Sequence, residues 1–214
     1  MATSLRWKVA QWAEIRWWKR YLKNKDKTTY VEWKKSYWNE LLLQLGDDLT
    51  LSPNLFVLDA GCGPSGIFTI LEDQEVIAID PLLNQYKHLP HFDINAYPDT
   101  QFIEKSLEDY QGTNVYDTIF CMNVINHVKD IKKSTDNLIE SLKPEGQLLL
   151  TIDAHNHRFF KHLFRALPGD ILHPHQYDLK EYKTMLEERK MKVIKTVHIK
   201  KSFFFDHYLI LAEK

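Results

Sequence analysis

Three glycines, two carboxylates and one histidine are the residues of this chain whose types and spacing could do chemistry. Gly61, Gly63 and Gly66 follow an apolar run, Phe56-Val57-Leu58, at G-x-G-x-x-G spacing; Asp59 precedes the first glycine by two residues, and the next apolar run, Val76-Ile77-Ala78-Ile79, ends in Asp80. Glycine lets a backbone approach a ligand closely, and an acid at the tip of the second strand can accept both hydroxyls of a ribose. The pattern predicts a grip on an adenosine-bearing cofactor. A nicotinamide or flavin dinucleotide would set its pyrophosphate on the loop, where Asp59 repels it. A ligand offering an ammonium and a sulfonium, as S-adenosylmethionine does, is instead favoured by a nearby acid.

These residues need a strand, a tight loop, a helix and a second strand to hold them. The spacing predicts strands at 55–60 and 75–80 with a helix at about 65–73 between them. Further strands are expected near Phe102-Ile103, at 116–122 and at 147–153, with a helix at about 131–142. After Asp153 come helical stretches near 157–166 and 178–189, then apolar runs at 192–199 and 205–212 with only a turn between them. Alternating strands and helices imply parallel strands with right-handed crossovers, and the closing pair implies a hairpin. The fold class is therefore α/β, a Rossmann-like doubly wound seven-stranded sheet with helices on both faces. One antiparallel strand is expected, in the C-terminal hairpin.

Upstream of the sheet, Tyr30, Trp33, Tyr37, Leu41 and Leu45 recur every three or four residues before Gly46, and Thr29 and Glu32 have capping-box spacing. A helix is predicted there. Residues 1–50 are expected to form a helical cap that belongs to the same domain as residues 51–214, with a cap insertion at about 154–178. At 214 residues and 44% hydrophobic content the chain suits one full domain. No stretch nears the roughly 18 apolar residues that span a bilayer, and charged residues interrupt the N-terminal stretch from Arg6 to Arg20, so neither a signal peptide nor a transmembrane helix is expected. Cys62 and Cys121 do not form a disulfide framework, which fits a reducing cytoplasm.

The net charge of −1 hides an asymmetry. All six tryptophans (Trp7, Trp12, Trp17, Trp18, Trp33, Trp38) lie at the start of the chain; from Met1 to Trp38 it carries ten Lys and Arg against three acids, a net +7, and from Asn39 onward it carries −8. Such a segment is a cap or lid packed on an acidic domain, a membrane-surface helix, or an RNA-contacting face. On a helical wheel no single apolar stripe emerges, because Trp17 and Tyr21 fall away from Ile15, Trp18 and Leu22. An acidic main domain argues against nucleic acid.

The string Leu58-Asp59-Ala60-Gly61-Cys62-Gly63 followed by Asp80 resembles the first two signature segments of the class I S-adenosylmethionine-dependent methyltransferases. The stretch Tyr116 to Asp130, with Cys121-Met122 and His127-Val128 in register, resembles the fourth-strand segment of the branch that includes the O-methyltransferases of ubiquinone biosynthesis. The resemblance runs over roughly residues 28–214. It implies S-adenosyl-L-methionine as cofactor, S-adenosyl-L-homocysteine as product, and cofactor contacts at Asp59, Gly61, Cys62, Gly63, Asp80, Pro81, Ser106, Leu107, Met122 and Asn123. Ser106 stands where the family usually carries an acid for the adenine amino group; it is a weaker acceptor there or only a turn residue. Asn123 and Asn126 replace glutamates that in that branch can hold a divalent cation with the histidine, so no metal is expected.

His127 is the candidate catalytic residue. Methyl transfer needs an aligned nucleophile, and a hydroxyl or protonated amine must also lose a proton; histidine, with an unperturbed pKa near 6.5, suits that role. A packing role is the other reading. His155, His157, His162, His173 and His175 cluster in one short stretch, and zinc is conceivable there, but no cysteine or carboxylate completes a recognised ligand spacing. Tyr30, Tyr37, His155, His173 and Tyr177 are the candidate acceptor-pocket residues, with His175 beside them. The expected function is methyl transfer from S-adenosylmethionine to an oxygen or nitrogen of a small or medium-sized organic acceptor. A membrane-associated lipid or quinone-like acceptor, or RNA, is the alternative. A different class remains in an NAD-dependent oxidoreductase, which Asp59 disfavours, or a non-catalytic cofactor-binding partner.

Overall fold

A computed structural model describes residues 5–156, 175 and 177–214. Seven strands form one sheet: β1 (Phe56–Ala60), β2 (Glu75–Ile79), β3 (Thr100–Ile103), β4 (Tyr116–Met122), β5 (Leu142–His155), β6 (Lys192–Lys201) and β7 (Phe205–Glu213). Their order is β3-β2-β1-β4-β5-β7-β6. β7 runs antiparallel to both its neighbours and the other pairings are parallel, so the expected sheet, with its single antiparallel strand in a terminal hairpin, is the sheet observed. The order reverses between β1 and β4, and ligands of open α/β sheets sit at such a switch point, beyond the carboxyl ends of the strands.

The central strands are apolar on both faces because helices cover both. On one side Leu58, Ile119, Leu148 and Leu150 pack with Leu138 of α4 (Ile131–Ser141) and Tyr182 and Leu186 of α5 (Leu179–Glu187). On the other, Val57, Phe120, Leu149 and Leu211 share a core with Ile15 and Leu22 of α1 (Leu5–Leu22) and with Tyr30, Trp38 and Leu41 of α2 (Lys27–Leu43). α3 (Leu83–Tyr86) is a single turn after β2. No helix among the described residues is long and apolar enough to cross a membrane.

Three local expectations are corrected. α2 starts two residues before Thr29, because the Asp26 carboxylate accepts the Thr29 N–H at 2.9 Å and takes the N-cap that Thr29 was expected to fill. The strand expected at 147–153 begins earlier, at Leu142, and Lys143-Pro144-Glu145-Gly146 turns within it: Leu142 already pairs with Tyr116, the register shifts before Thr118 meets Gln147, and Glu145 takes φ 63°. The helix expected at about 65–73 is absent. Two 3₁₀ turns, Gly63–Ser65 and Ile67–Ile70, stand in its place. The Thr69 hydroxyl and N–H both turn back to the Gly66 carbonyl, at 2.8 and 3.3 Å, and the Phe68 N–H donates to Asp59, so the groups that an α-helix would pair i to i−4 are already engaged. The helical stretch expected at 157–166 lies outside the described residues.

Candidate active site

The glycine loop is fixed from below and from the side. Asp59 is buried under it, and its Oδ2 accepts the Phe68 N–H at 3.0 Å. From β2, the Ile79 carbonyl accepts the N–H groups of Gly61 and Cys62 at 2.8 and 3.0 Å. Asp80 completes the support: its Oδ2 accepts the Gly63 N–H at 3.0 Å and its Oδ1 the Leu82 N–H at 2.8 Å. Gly61 and Gly63 take φ values of 77° and 57°, which side chains rarely adopt. On the α2 side, Trp38 Nε1 donates to the Ser65 carbonyl at 3.1 Å.

Over this loop opens a cavity of about 740 Å³. Gly61, Cys62, Gly63, Asp80 and Pro81 line one end, Ser106 and Leu107 adjoin them, and Met122, Asn123 and His127 come from the end of β4. Tyr30 and Tyr37 line the wall that α2 provides. The structure thus brings together the loop, the second acid, the fourth-strand segment and two pocket tyrosines. It does not bring Asp59, His155 or Tyr177 to the cavity lining. Asp59 is a support beneath the loop; His155 is buried with its ring 4.4 Å from that of Phe205, and Tyr177 packs on Tyr182 at 5.5 Å. His173 lies outside the described residues, as do His157 and His162.

Ser106 does two things at once. It lines the cavity, and it anchors a turn by accepting the N–H groups of Asp109 and Tyr110 on its carbonyl and donating its hydroxyl to Asp109 at 2.9 Å. Glu108 and Asn137 brace this rim: Glu108 accepts the Lys129 and Asp130 N–H groups, and Asn137 Nδ2 donates to the Leu107 and Glu108 carbonyls. Asn123 holds φ 60°, and its N–H donates to the Thr151 carbonyl. Asn126 is buried and donates to the Asp153 carbonyl at 2.8 Å, a structural use of a residue adjoining His127.

Sequence reasoning missed several lining residues. From α1 come Trp7, Trp17, Trp18 and Glu14; from α2, Trp33 and Lys34; from β5, β6 and β7, Asp153, Lys200 and His207. Glu14 had one signal, as the sole acid of α1. Asp153 and His207 had none, because only the β5–β7 register places them opposite each other, in contact. Lys34 Nζ lies 4.2 Å from the Trp38 ring centre and 5.1 Å from that of Tyr37, a cation held over aromatic faces.

Burial sets the charges. It pushes Asp59 up to about 7 and Asp80 up to about 8, the latter with help from the Glu14 carboxylate, and it raises Glu14, which also accepts a hydrogen bond from Tyr86 at 3.2 Å. Burial lowers Lys34 to about 8, against the pull of Asp59. The Cys62 thiol is raised far out of reach of ionisation, so it is no nucleophile. A carboxyl whose folded pKa lies above its unfolded value holds its proton longer in the folded state, so stability is full at low pH and declines as pH rises toward the folded pKa. Without ligand, unfolding free energy is expected to fall between pH 6 and 7 by about 2 kcal/mol, roughly half from each carboxyl, and denaturant titrations at the two pH values check it. Asp59→Asn should flatten the slope; a profile that rises with pH would contradict the burial of Asp59 and Asp80.

Comparison with known proteins gives concordant results. The profile of a family described as "Methyltransferase domain" matches residues 30–196. Ubiquinone biosynthesis O-methyltransferase of Rickettsia felis is 29% identical over 99 residues, which cover 45% of this chain and 41% of that protein. The chain therefore matches less than half the length of that relative. Among solved structures, magnesium protoporphyrin IX methyltransferase of Synechocystis PCC 6803, crystallised with S-adenosylhomocysteine, superposes with a TM-score of 0.67 at 18% identity, covering 94% of each chain. A 1,6-didemethyltoxoflavin-N1-methyltransferase from Burkholderia thailandensis superposes with a TM-score of 0.66 at 14% identity over 100% of this chain and 92% of that one. At such identities the likeness is one of fold.

Proposed function

The chain belongs to the methyltransferase-domain family, and from that premise we propose that it transfers a methyl group from S-adenosylmethionine to an oxygen or nitrogen of a small or medium-sized planar organic acceptor. One observation carries the reading: one cavity is lined by the glycine loop with Asp80, by aromatic rings of α1 and α2, and by His127. About 740 Å³ falls in the upper part of the range for ligand sites, which spans roughly 300–1,000 Å³.

The residues present suit this donor. Gly61 and Gly63 take positive φ and line the cavity, the Asp80 carboxylate faces the cavity with backbone N–H groups already fixing its orientation, and the N–H groups of Gly61, Cys62 and Gly63 are spent on Ile79 and Asp80, which leaves none of the three to hold a phosphate. Gly61, Cys62 and Gly63 would hold the amino-acid end, Asp80 the ribose, and Ser106 and Leu107 the adenine. When bound, the donor supplies an electrophilic methyl group on a positively charged sulfur. The chain's own part is to align the acceptor, exclude water and take a proton. The rings of Trp17, Trp18, Tyr30, Trp33 and Tyr37 offer flat faces on which a planar acceptor stacks. His127 accepts the proton that the acceptor oxygen or nitrogen gives up as its bond to carbon forms.

Asp80→Ala is expected to weaken S-adenosylhomocysteine binding by about 1–3 kcal/mol, since the ribose hydroxyls lose their buried hydrogen-bond partner; calorimetry measures it. The acceptor class is tested by following S-adenosylhomocysteine release with panels of phenols, nitrogen heteroaromatics, aliphatic amines and acids, and transfer RNA. Turnover with planar compounds is the expected result. Turnover confined to aliphatic compounds or RNA contradicts it, and binding of NAD without S-adenosylhomocysteine contradicts the methyltransferase reading itself.

A further inference from the structure

Helix α1 separates its side chains by face. Trp7, Gln11, Glu14, Trp18 and Tyr21 recur at spacings of four, three, four and three residues and line the cavity. Ile15 and Leu22, on the flank of that face, are buried in the core. The opposite face carries Lys8, Trp12, Arg16, Lys19 and, just past the helix end, Lys23, at spacings of four, four, three and four, with Val9 and Arg20 beside them. Every one of these seven is exposed, Trp12 at 57% and Val9 at 40%. The Arg16 guanidinium sits 4.5 Å from the Trp12 ring centre, so the indole and the cation occupy one patch. No carboxylate of α1 shares this face, because Glu14, the one acid of the helix, points to the cavity.

We propose that this outer face of α1 docks on an anionic lipid surface, with the helix lying in the plane of the interface and Trp12 at the level of the headgroups. A merely solvated helix face mixes the two charge signs and hides its tryptophans. Here five cations surround a tryptophan and a valine, the combination that interfacial helices use. α1 has only 18 residues and carries charges along its length, so it lies on a bilayer and does not cross it. The rest of the molecule favours one orientation: with +7 from Met1 to Trp38 and −8 from Asn39 onward, an anionic surface attracts α1 and repels the bulk of the domain. An extended RNA would meet that same acidic bulk beside the helix, which makes it the poorer fit.

Sedimentation of the full chain with phosphatidylcholine vesicles containing phosphatidylglycerol, against pure phosphatidylcholine vesicles, tests the proposal. At low ionic strength the chain is expected to sediment with the anionic vesicles alone, and added salt should release it. The variant carrying Lys8→Glu, Arg16→Glu, Lys19→Glu and Arg20→Glu should lose partitioning by more than about tenfold while keeping its affinity for S-adenosylhomocysteine, which shows that it is folded. Trp12→Ala should weaken partitioning without touching charge. The proposal fails if the chain ignores anionic vesicles at low salt, if the fourfold variant sediments as well as the parent, or if single-stranded RNA binds this face while vesicles do not.

Discussion

Gly66→Ala is expected to lower stability by about 3 kcal/mol and to remove measurable binding of S-adenosylhomocysteine. The backbone of Gly66, at φ −71°, is open to any residue; the obstacle is space. A Cβ there would stand 2.4 Å from the Asp59 Oδ2 and 2.5 Å from the Cys62 carbonyl oxygen. Neither neighbour can give way. Asp59 is buried and tied to the Phe68 N–H, and the Cys62 carbonyl belongs to the loop that lines the cavity. Gly63→Ala provides the contrast, since its Cβ meets only Trp18 at 3.8 Å and the cost comes from φ 57° alone, about 1 kcal/mol. Denaturant unfolding of both variants, with calorimetry for the ligand, decides it: a Gly66→Ala chain as stable as the parent would mean that Asp59 does not lie against the loop.

His127→Ala is expected to lower turnover about 10²–10⁴-fold and to leave the affinity for S-adenosylhomocysteine unchanged. His127 lines the cavity at the end of the β4 segment, and its backbone N–H donates to the Val124 carbonyl at 2.8 Å, which fixes where the residue stands whatever its side chain is. A general base must be unprotonated to accept a proton, so the rate falls on the acid side and the variant should also lose the acid limb of the pH–rate profile. Turnover and an acid limb that both survive would assign His127 to packing. A fall in ligand affinity instead of turnover would place it against the cofactor.

Much of the fold was legible because it depends on local rules. Short apolar runs, separated by glycine, proline and polar turns, marked β1, β2, β4 and the final hairpin, and the pairing of a parallel sheet follows from chain alternation. The segment after the glycine loop was misread as a helix because the contact that shapes it does not show in its own residues. Ile67 and Phe68 have ordinary apolar patterning, but Asp59, back on β1, takes the Phe68 N–H and turns the segment into 3₁₀ geometry. The same contact changes the meaning of Asp59. Read as a partner for the cofactor's ammonium, it is buried beneath the loop and outside the cavity lining.

Residues adjacent in the chain were enough to specify the strands, the glycine loop with Asp80, and the presence of His127 just past β4, since turn chemistry and apolar patterning act over a few neighbours. What stands opposite them was settled by packing. Lys34 near Asp59, Glu14 near Asp80, and Asp153 against His207 join segments remote from one another in the chain, and only the docking of α1, α2 and the hairpin on the sheet sets those distances. The tryptophans of α1 show the difference most clearly. Composition counted them together, but the helix's rotation on the core sends Trp7 and Trp18 to the cavity and Trp12 to the solvent, with Trp17 lining the cavity while half exposed. Burial of the aliphatic Ile15 and Leu22 fixes that rotation, because turning the helix to hide Trp12 would return both of them to water.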